Sequence, residues 1–179
     1  MFIFIRFGKI FRNEIIEIPK KGILNFHSAI LPDYKGIMET LHNLKDNRLE
    51  YGCTLHYIDN ETIDTGQIIA IKMKHVEKKH SLFWHVVKLY PIGCELILDC
   101  IQKLNTVNRL PSKKQDMTKG NYFSVPSKED FKILTDCNIE SFNVEEVLKV
   151  KTHLKTYDIL MQYVYFSCKT YSYEYTRIN

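Results

Sequence analysis

The sequence lacks the marks of a secreted disulfide protein, a metal ribbon or a membrane protein. Its five cysteines, Cys53, Cys94, Cys100, Cys137 and Cys168, are odd in number and show no Cys-x-x-Cys pair. That usage argues against a disulfide framework and against a zinc ribbon, and it predicts a reducing, cytoplasmic location. Long apolar runs are also missing. The opening Met1-Phe2-Ile3-Phe4-Ile5 stops at Arg6, too soon for a secretory h-region or a membrane span, so it reads as a buried strand and no membrane partner is expected. There is no internal repeat and no low-complexity segment. Charge of one sign is scarce as well: a net +4 spread along the chain neither demands nor excludes a phosphate-bearing substrate.

What is present suits one globular domain with a small appendage, at 179 residues, 45% hydrophobic and 26% charged. Patterning predicts a strand over 2–6, a helix over 11–17, a strand over 22–27, an ordered loop over 28–36 and a helix over 37–47. Strands near 53–58 and 67–74 follow, then a helix over 81–104 with Leu82, Val86, Leu89, Gly93, Leu96 and Ile97 on one stripe. This strand–helix alternation predicts an α/β fold with a mostly parallel sheet. Beyond residue 105, Pro111, Pro126 and a Lys-rich stretch read as an extended excursion over the surface. A helix over Val144–Tyr157 is expected, with Asn143 as its N-cap and Glu145 and Glu146 in the first turn. The tail carries Tyr157, Tyr163, Tyr165, Tyr171, Tyr173 and Tyr175, read as a packing apron or edge strand ahead of a base-stacking platform.

The chemistry points to three polar residues. Side chains alternate along a strand, so Asn25 and His27 project to one side while Phe26 faces the other. A second strand through Leu55 to Ile58 precedes Asp64-Thr65-Gly66 and is able to bring a carboxylate to the same strand ends, where open α/β sheets hold ligands. An amide that donates to an oxyanion, an imidazole that accepts a proton and a carboxylate that orients it are the groups needed to move an acyl unit onto an amine. By contrast, His75, His80 and His85 recur every five residues, a spacing that shares no helix or strand face, and no metal site is expected. His56 reads either as lining the cleft or as a buried core group.

These residues carry a family resemblance. The run Asn25-Phe26-His27-Ser28-Ala29-Ile30-Leu31-Pro32-Asp33-Tyr34-Lys35-Gly36, then Gly52-Cys53-Thr54-Leu55-His56, then Ile63-Asp64-Thr65-Gly66-Gln67-Ile68-Ile69, resembles the folate-dependent formyltransferases. That family includes glycinamide ribonucleotide, methionyl-tRNA and nucleotide-sugar N-formyltransferases. Singly, an Asn or His in a strand reads as a satisfied polar group and Asp64 as a turn residue; the ordered conjunction reverses that reading. The resemblance implies a Rossmann-like formyltransferase sheet flanked by helices, catalytic roles for Asn25, His27 and Asp64, and 10-formyltetrahydrofolate as co-substrate. It further implies that Gly8, Lys9, Ile10, Asp59 and Ile63 border the pterin, and that Leu31, Pro32, Tyr34, Lys35 and Gly36 form the substrate loop. Gln115-Asp116 with Tyr122 to Phe131 is similar to the connector behind the family's long helix.

The chain also departs from the family pattern. The resemblance implies that the N-terminal half of the catalytic domain, a βαβ unit with a Gly-rich loop, is missing from this sequence, so a truncated sheet is expected. Lys35 stands where the family usually has Arg and loses the planar bidentate fork. The loop Asn60-Glu61-Thr62-Ile63 is one residue longer than the commonest form. The expected organisation is a catalytic core over 1–105, an extended connector over 106–131 and a small helical and aromatic appendage over 132–179. The implied reaction moves a formyl group to a primary amine on a small molecule, with a nucleotide-linked amino sugar ranked first. Methionyl-tRNA and glycinamide ribonucleotide are the alternatives, and a non-catalytic remnant of the family is the rival. No nucleic acid partner is expected, because the tail does not resemble an OB-fold tRNA domain. A homodimer, or a separate chain that completes the sheet, stays open.

Overall fold

Among the described residues the apolar run Ile23-Leu24 and the run from Tyr51 to Tyr57 are the most buried extended segments, and they form the centre of the sheet. A computed structural model describes residues 1–154; the tyrosine-rich tail lies outside the described residues. The sheet is built from β1 (Phe2–Ile5), β2 (Ile23–His27), β4 (Glu50–Ile58) and β5 (Ile68–His75), in the order β1-β2-β4-β5. A short α1 (Asn13–Ile16) lies between β1 and β2. β3 (Tyr34–Gly36) pairs in parallel with β6 (Asn121–Phe123) as a separate ribbon. β5 alternates half-buried and exposed side chains along its second half, as an edge strand with one wet face does.

The α/β class and the helix-flanked sheet follow the sequence expectation. β1 runs parallel to β2, with Ile5 opposite Phe26. β4 is antiparallel to β2, placing His56 opposite Asn25 and Thr54 opposite His27, and β5 is antiparallel to β4. Among the described strands the sheet is therefore mixed. The order β2, α2 (Glu39–Lys45), β4 predicts a parallel crossover, and the pairing differs. The segment leaving β2 is fastened to β4 at that end of the sheet: the Thr54 hydroxyl donates to the Ala29 carbonyl at 2.7 Å and accepts from the Leu31 N–H at 3.1 Å. The chain enters β4 from the end at which it left β2.

α3 (Leu82–Lys103) covers the sheet. Ser81 caps it, its hydroxyl accepting from the Trp84 N–H at 3.2 Å. Leu89, Leu96, Ile97 and Cys100 pack with Leu24, Phe26, Leu55 and Tyr57 in one core cluster, while Val86 packs against a second cluster formed by Leu41, Leu44, Leu82, Leu134 and Ile139. The helix continues through Pro91, which withdraws one N–H from the ladder at an exposed position. Gly93 sits where the helix meets β2: a Cβ there would lie 2.2 Å from Phe26 Cε2. Among the described residues no helix is long and apolar enough to cross a membrane.

α4 (Lys128–Asp136) straddles the expected boundary between connector and appendage. Its start is a capping box: the Ser127 hydroxyl accepts from Asp130 N–H, and the Asp130 carboxylate accepts from Ser127 N–H. The compact first unit accordingly runs Met1–Ser141, because Leu134 and Ile139 are buried in the second cluster and Leu110 is buried in the first. The divide falls after Ser141, ten residues beyond the expected start of the appendage at 132. The second unit begins at Phe142 and holds α5 (Val144–Leu154). Asn143 caps it as predicted, its Oδ1 accepting from Glu146 N–H at 3.3 Å.

Gly93→Ala is expected to destabilise the fold. Overpacking against Phe26 costs about 1–3 kcal/mol, against a helix-propensity gain of about 1 kcal/mol. Urea unfolding should show a lower midpoint, and Phe26→Leu in the Gly93→Ala background should recover part of it; an unchanged midpoint would contradict this packing.

Candidate active site

Strand alternation turns Leu24 and Phe26 into the core and leaves Asn25 and His27 on the opposite side. His27 is 4% exposed. Its Nε2 lies 2.6 Å from the Tyr34 carbonyl oxygen, and since a carbonyl only accepts, Nε2 carries the hydrogen. Nδ1 is then the atom that can gain or lose a proton. It faces two carboxylates: Asp64 Oδ1 at 3.5 Å and Glu39 Oε1 at 3.6 Å. Donor atoms of the three side chains all fall within 4.8 Å of one another.

Opposite Asn25 on β4 stands His56, 1% exposed. Its Nδ1 donates to the Tyr57 carbonyl at 2.7 Å, which leaves Nε2 to accept from Asn25 Nδ2 at 3.1 Å. The same Nε2 is 3.6 Å from Asp64 Oδ1. The second hydrogen on Asn25 Nδ2 is available to a ligand, because the ring takes only one. His56 is thus the residue that orients the Asn25 amide, a role the sequence left undecided.

Asp64 reaches this point through a strained turn. Its φ is +55°, in the left-handed region. Gly66 packs so closely that a Cβ would lie 1.7 Å from the Tyr57 carbonyl oxygen. Gln115 ties the turn down, its Nε2 donating to the carbonyls of Asp64 and Gly66 at 2.8 and 2.7 Å. Asp64 Oδ2 accepts from the Gly36 N–H at 2.9 Å. Gly36 has φ +106°, and a Cβ there would strike the Phe123 carbonyl oxygen at 2.0 Å. Only a glycine lets β3 approach both β6 and Asp64.

The electrostatics follow from this crowding. Burial is the largest influence on His27 and works to lower its pKa, yet Glu39, Asp64 and the Tyr34 carbonyl together outweigh it and raise the value above the ordinary 6.5. For Asp64, burial works to raise the pKa, but the His27 imidazolium and the Gly36 N–H work against it, and the carboxyl is held below its ordinary value. A basic imidazole beside an anion that stays ionised suits proton acceptance.

The remaining expected residues divide into two groups. Gly8, Lys9 and Ile10 are exposed and leave β1 from the same sheet end as His27 leaves β2, since the two strands are parallel. Ile63 is half-buried in the 59–67 loop. Asp59 holds that loop, accepting from Gln67 N–H at 3.1 Å and from Arg109 Nη2 at 2.6 Å. The expected substrate loop is mostly internal in its contacts. Leu31, buried, precedes Pro32 across a cis bond and donates its N–H to Thr54 Oγ1 at 3.1 Å. The Tyr34 side chain points away from His27 and donates to Asp46 Oδ2 at 2.9 Å, while Lys35 Nζ bonds the Lys119 carbonyl at 3.5 Å. Glu39 was not signalled by any motif: it falls in the first turn of the helix expected over 37–47, with nothing in the sequence to mark it as buried.

Comparison with known proteins gives matches to formyltransferases. The formyl transferase family model matches residues 1–83. The methionyl-tRNA formyltransferase of Caldicellulosiruptor saccharolyticus is 30% identical over 147 residues, covering 82% of this chain and 46% of that protein. The enzyme of the same name from Thermodesulfovibrio yellowstonii is 35% identical over 102 residues, 57% of this chain and 33% of that one. The chain therefore spans about half or less of the length of the curated relatives it matches. Among solved structures, the N-formyltransferase of Helicobacter canadensis in complex with folinic acid and dTDP-3-aminofucose superposes with a TM-score of 0.63 at 26% identity, covering 82% of this chain and 56% of that one. The formyltransferase PseJ of Anoxybacillus kamchatkensis shares the fold, with a TM-score of 0.64 at 22% identity over 78% of this chain and 76% of that one. Sequence match and fold agree on the formyl transferase family, whose model the chain matches over residues 1–83.

Proposed function

We propose that this chain carries the transfer centre of a formyltransferase that moves a formyl group from 10-formyltetrahydrofolate to a primary amine. The observation that supports it above all is the convergence of Asn25, His27 and Asp64 on one side of the β2 end, with His27 Nδ1 as the atom open to a proton. The co-substrate supplies an activated one-carbon acyl group. His27 Nδ1 accepts the proton lost by the amine as its nitrogen bonds the formyl carbon. Asn25, its amide held in orientation by His56, donates its free N–H to the oxygen that becomes negative. Asp64 stabilises the imidazolium that forms, and the same proton then serves the departing folate nitrogen, so the ring returns to its starting state. The products are a formamide and tetrahydrofolate.

For the acceptor, we propose an amino group on a nucleotide-linked sugar. The Helicobacter canadensis protein, similar over most of this chain, was crystallised with such a sugar nucleotide, and the connector after the long helix resembles that branch. A methionyl-tRNA acceptor is the second reading, favoured by the names of the curated relatives. Assaying both amines with one preparation separates the two.

Asn25→Ala should lower formyl transfer by about 10²–10³-fold, the usual effect of deleting an oxyanion donor, and His27→Ala by about 10²–10⁴-fold. Binding of a reduced folate, read by thermal shift, should persist in both; near-normal turnover in either variant would remove the assigned roles. A reduced folate at a hundred times its dissociation constant should raise stability by about 2.7 kcal/mol, and no shift would favour the remnant reading.

The rate should rise with pH. His27 must be unprotonated at Nδ1 to accept, and its raised pKa places the ascending limb above the unperturbed value of about 6.5. A profile flat from pH 5 to 8 under conditions where chemistry limits the rate would count against His27.

A further inference from the structure

Asp64 is shared between two rings, because its Oδ1 lies 3.5 Å from His27 Nδ1 and 3.6 Å from His56 Nε2. Glu39 has one imidazole within 4 Å among the described residues, and that is His27. Its other oxygen, Oε2, accepts from the Ser28 hydroxyl at 3.3 Å. Several local features aim this glutamate inward. Met38 immediately before it is held in the left-handed region at φ +51°, which turns the chain into α2, and Thr40 Oγ1 donates to the Ser28 carbonyl at 2.8 Å, fastening the start of α2 to the end of β2. A backbone outlier held by its neighbours beside a site is a feature to be explained by that site. The Glu39 side chain is only 12% exposed, so its charge acts on Nδ1 through protein more than through water.

We infer that Glu39 is a positioning residue for His27: with Asp64 it brackets Nδ1, holds the ring in place and makes it the stronger proton acceptor. This rests on the reading of His27 as the base of the transfer. The groups facing His27 are Glu39 from α2, Asp64 from the 59–67 loop, the edge of the His56 ring from β4 at a centroid distance of 6.1 Å, and the Tyr34 carbonyl from β3. Two of the four are anionic, one is a carbonyl dipole that fixes the opposite nitrogen, and His56 accepts from Asn25 and is neutral in this hydrogen-bond pattern. Glu39 therefore supplies half of the formal negative charge at Nδ1. An opposite charge at this range moves a titration midpoint by about 1–3 pH units.

The test is a titration of the imidazole nitrogens of the full ¹⁵N-labelled chain by NMR, with His27 assigned by the signals lost in His27→Gln. Glu39→Gln keeps the side-chain length and the acceptor for Ser28 while removing the charge. The His27 midpoint is expected to fall by about 1 pH unit, a tenfold loss of proton affinity, with the His56 signals little moved. Glu39→Asp, which withdraws the charge by one methylene, should lower it by less. Either folded variant suffices, and a His27 midpoint equal to that of the parent chain overturns the inference. Formyl transfer is followed in parallel, where the ascending limb should move to lower pH by the same interval in Glu39→Gln. Absence of transfer by the parent chain with a shifted midpoint would refute the proposed function and leave Glu39 in its role. Transfer with an unmoved midpoint would do the reverse.

Discussion

The hydrogen bond from His27 Nε2 to the Tyr34 carbonyl, 2.6 Å long, is the constraint on which the rest of the site depends. It fixes the ring's rotation, assigns the hydrogen to Nε2 and turns the other nitrogen toward the carboxylates. Without it, a buried imidazole between two anions would have no reason to present one nitrogen rather than the other. The donor–acceptor pair spans only the loop between β2 and β3, so the Tyr34 backbone is part of the site even though its side chain bonds Asp46.

Two glycines and one amide hold the carboxylate half. Gly36 and Gly66 each stand where a Cβ would collide with a backbone carbonyl, and Gln115 bonds both carbonyls of the Asp64 turn. These contacts fix backbone rather than side chain, which explains how Asp64 keeps a left-handed conformation that costs a non-glycine residue free energy. The antiparallel entry of β4 completes the arrangement, because it sets His56 directly across from Asn25. In a parallel pairing the register between those residues would be different and the amide would have no ring to lean on.

Much of the site was legible in the sequence. Asn25 and His27 share a face by strand period, Asp64-Thr65-Gly66 marks a turn, and the Asp64 carboxylate stands 3.5 Å from His27 Nδ1. The stripe from Leu82 to Ile97 and the Asn143 cap were equally plain, since periodicity and capping are local properties. α4 was missed although Ser127-Lys128-Glu129-Asp130 is a capping signature, because the Lys-rich and Pro-bearing surroundings weighed toward extended chain. Glu39 carried no signal: nothing in a helix's first turn reveals that the preceding Met38 bends that turn into the protein.

By itself, then, the amino-acid order determined which chemical groups exist, which share a strand face and which glycines a turn requires, because those depend on neighbours a few residues away. Tertiary structure alone decided the sense of the β2–β4 pairing, the second carboxylate at Nδ1 and the role of His56. Each of these is a relation between segments that the chain does not join directly, set by which strands pair and by which backbone atoms stand close enough to accept a hydrogen.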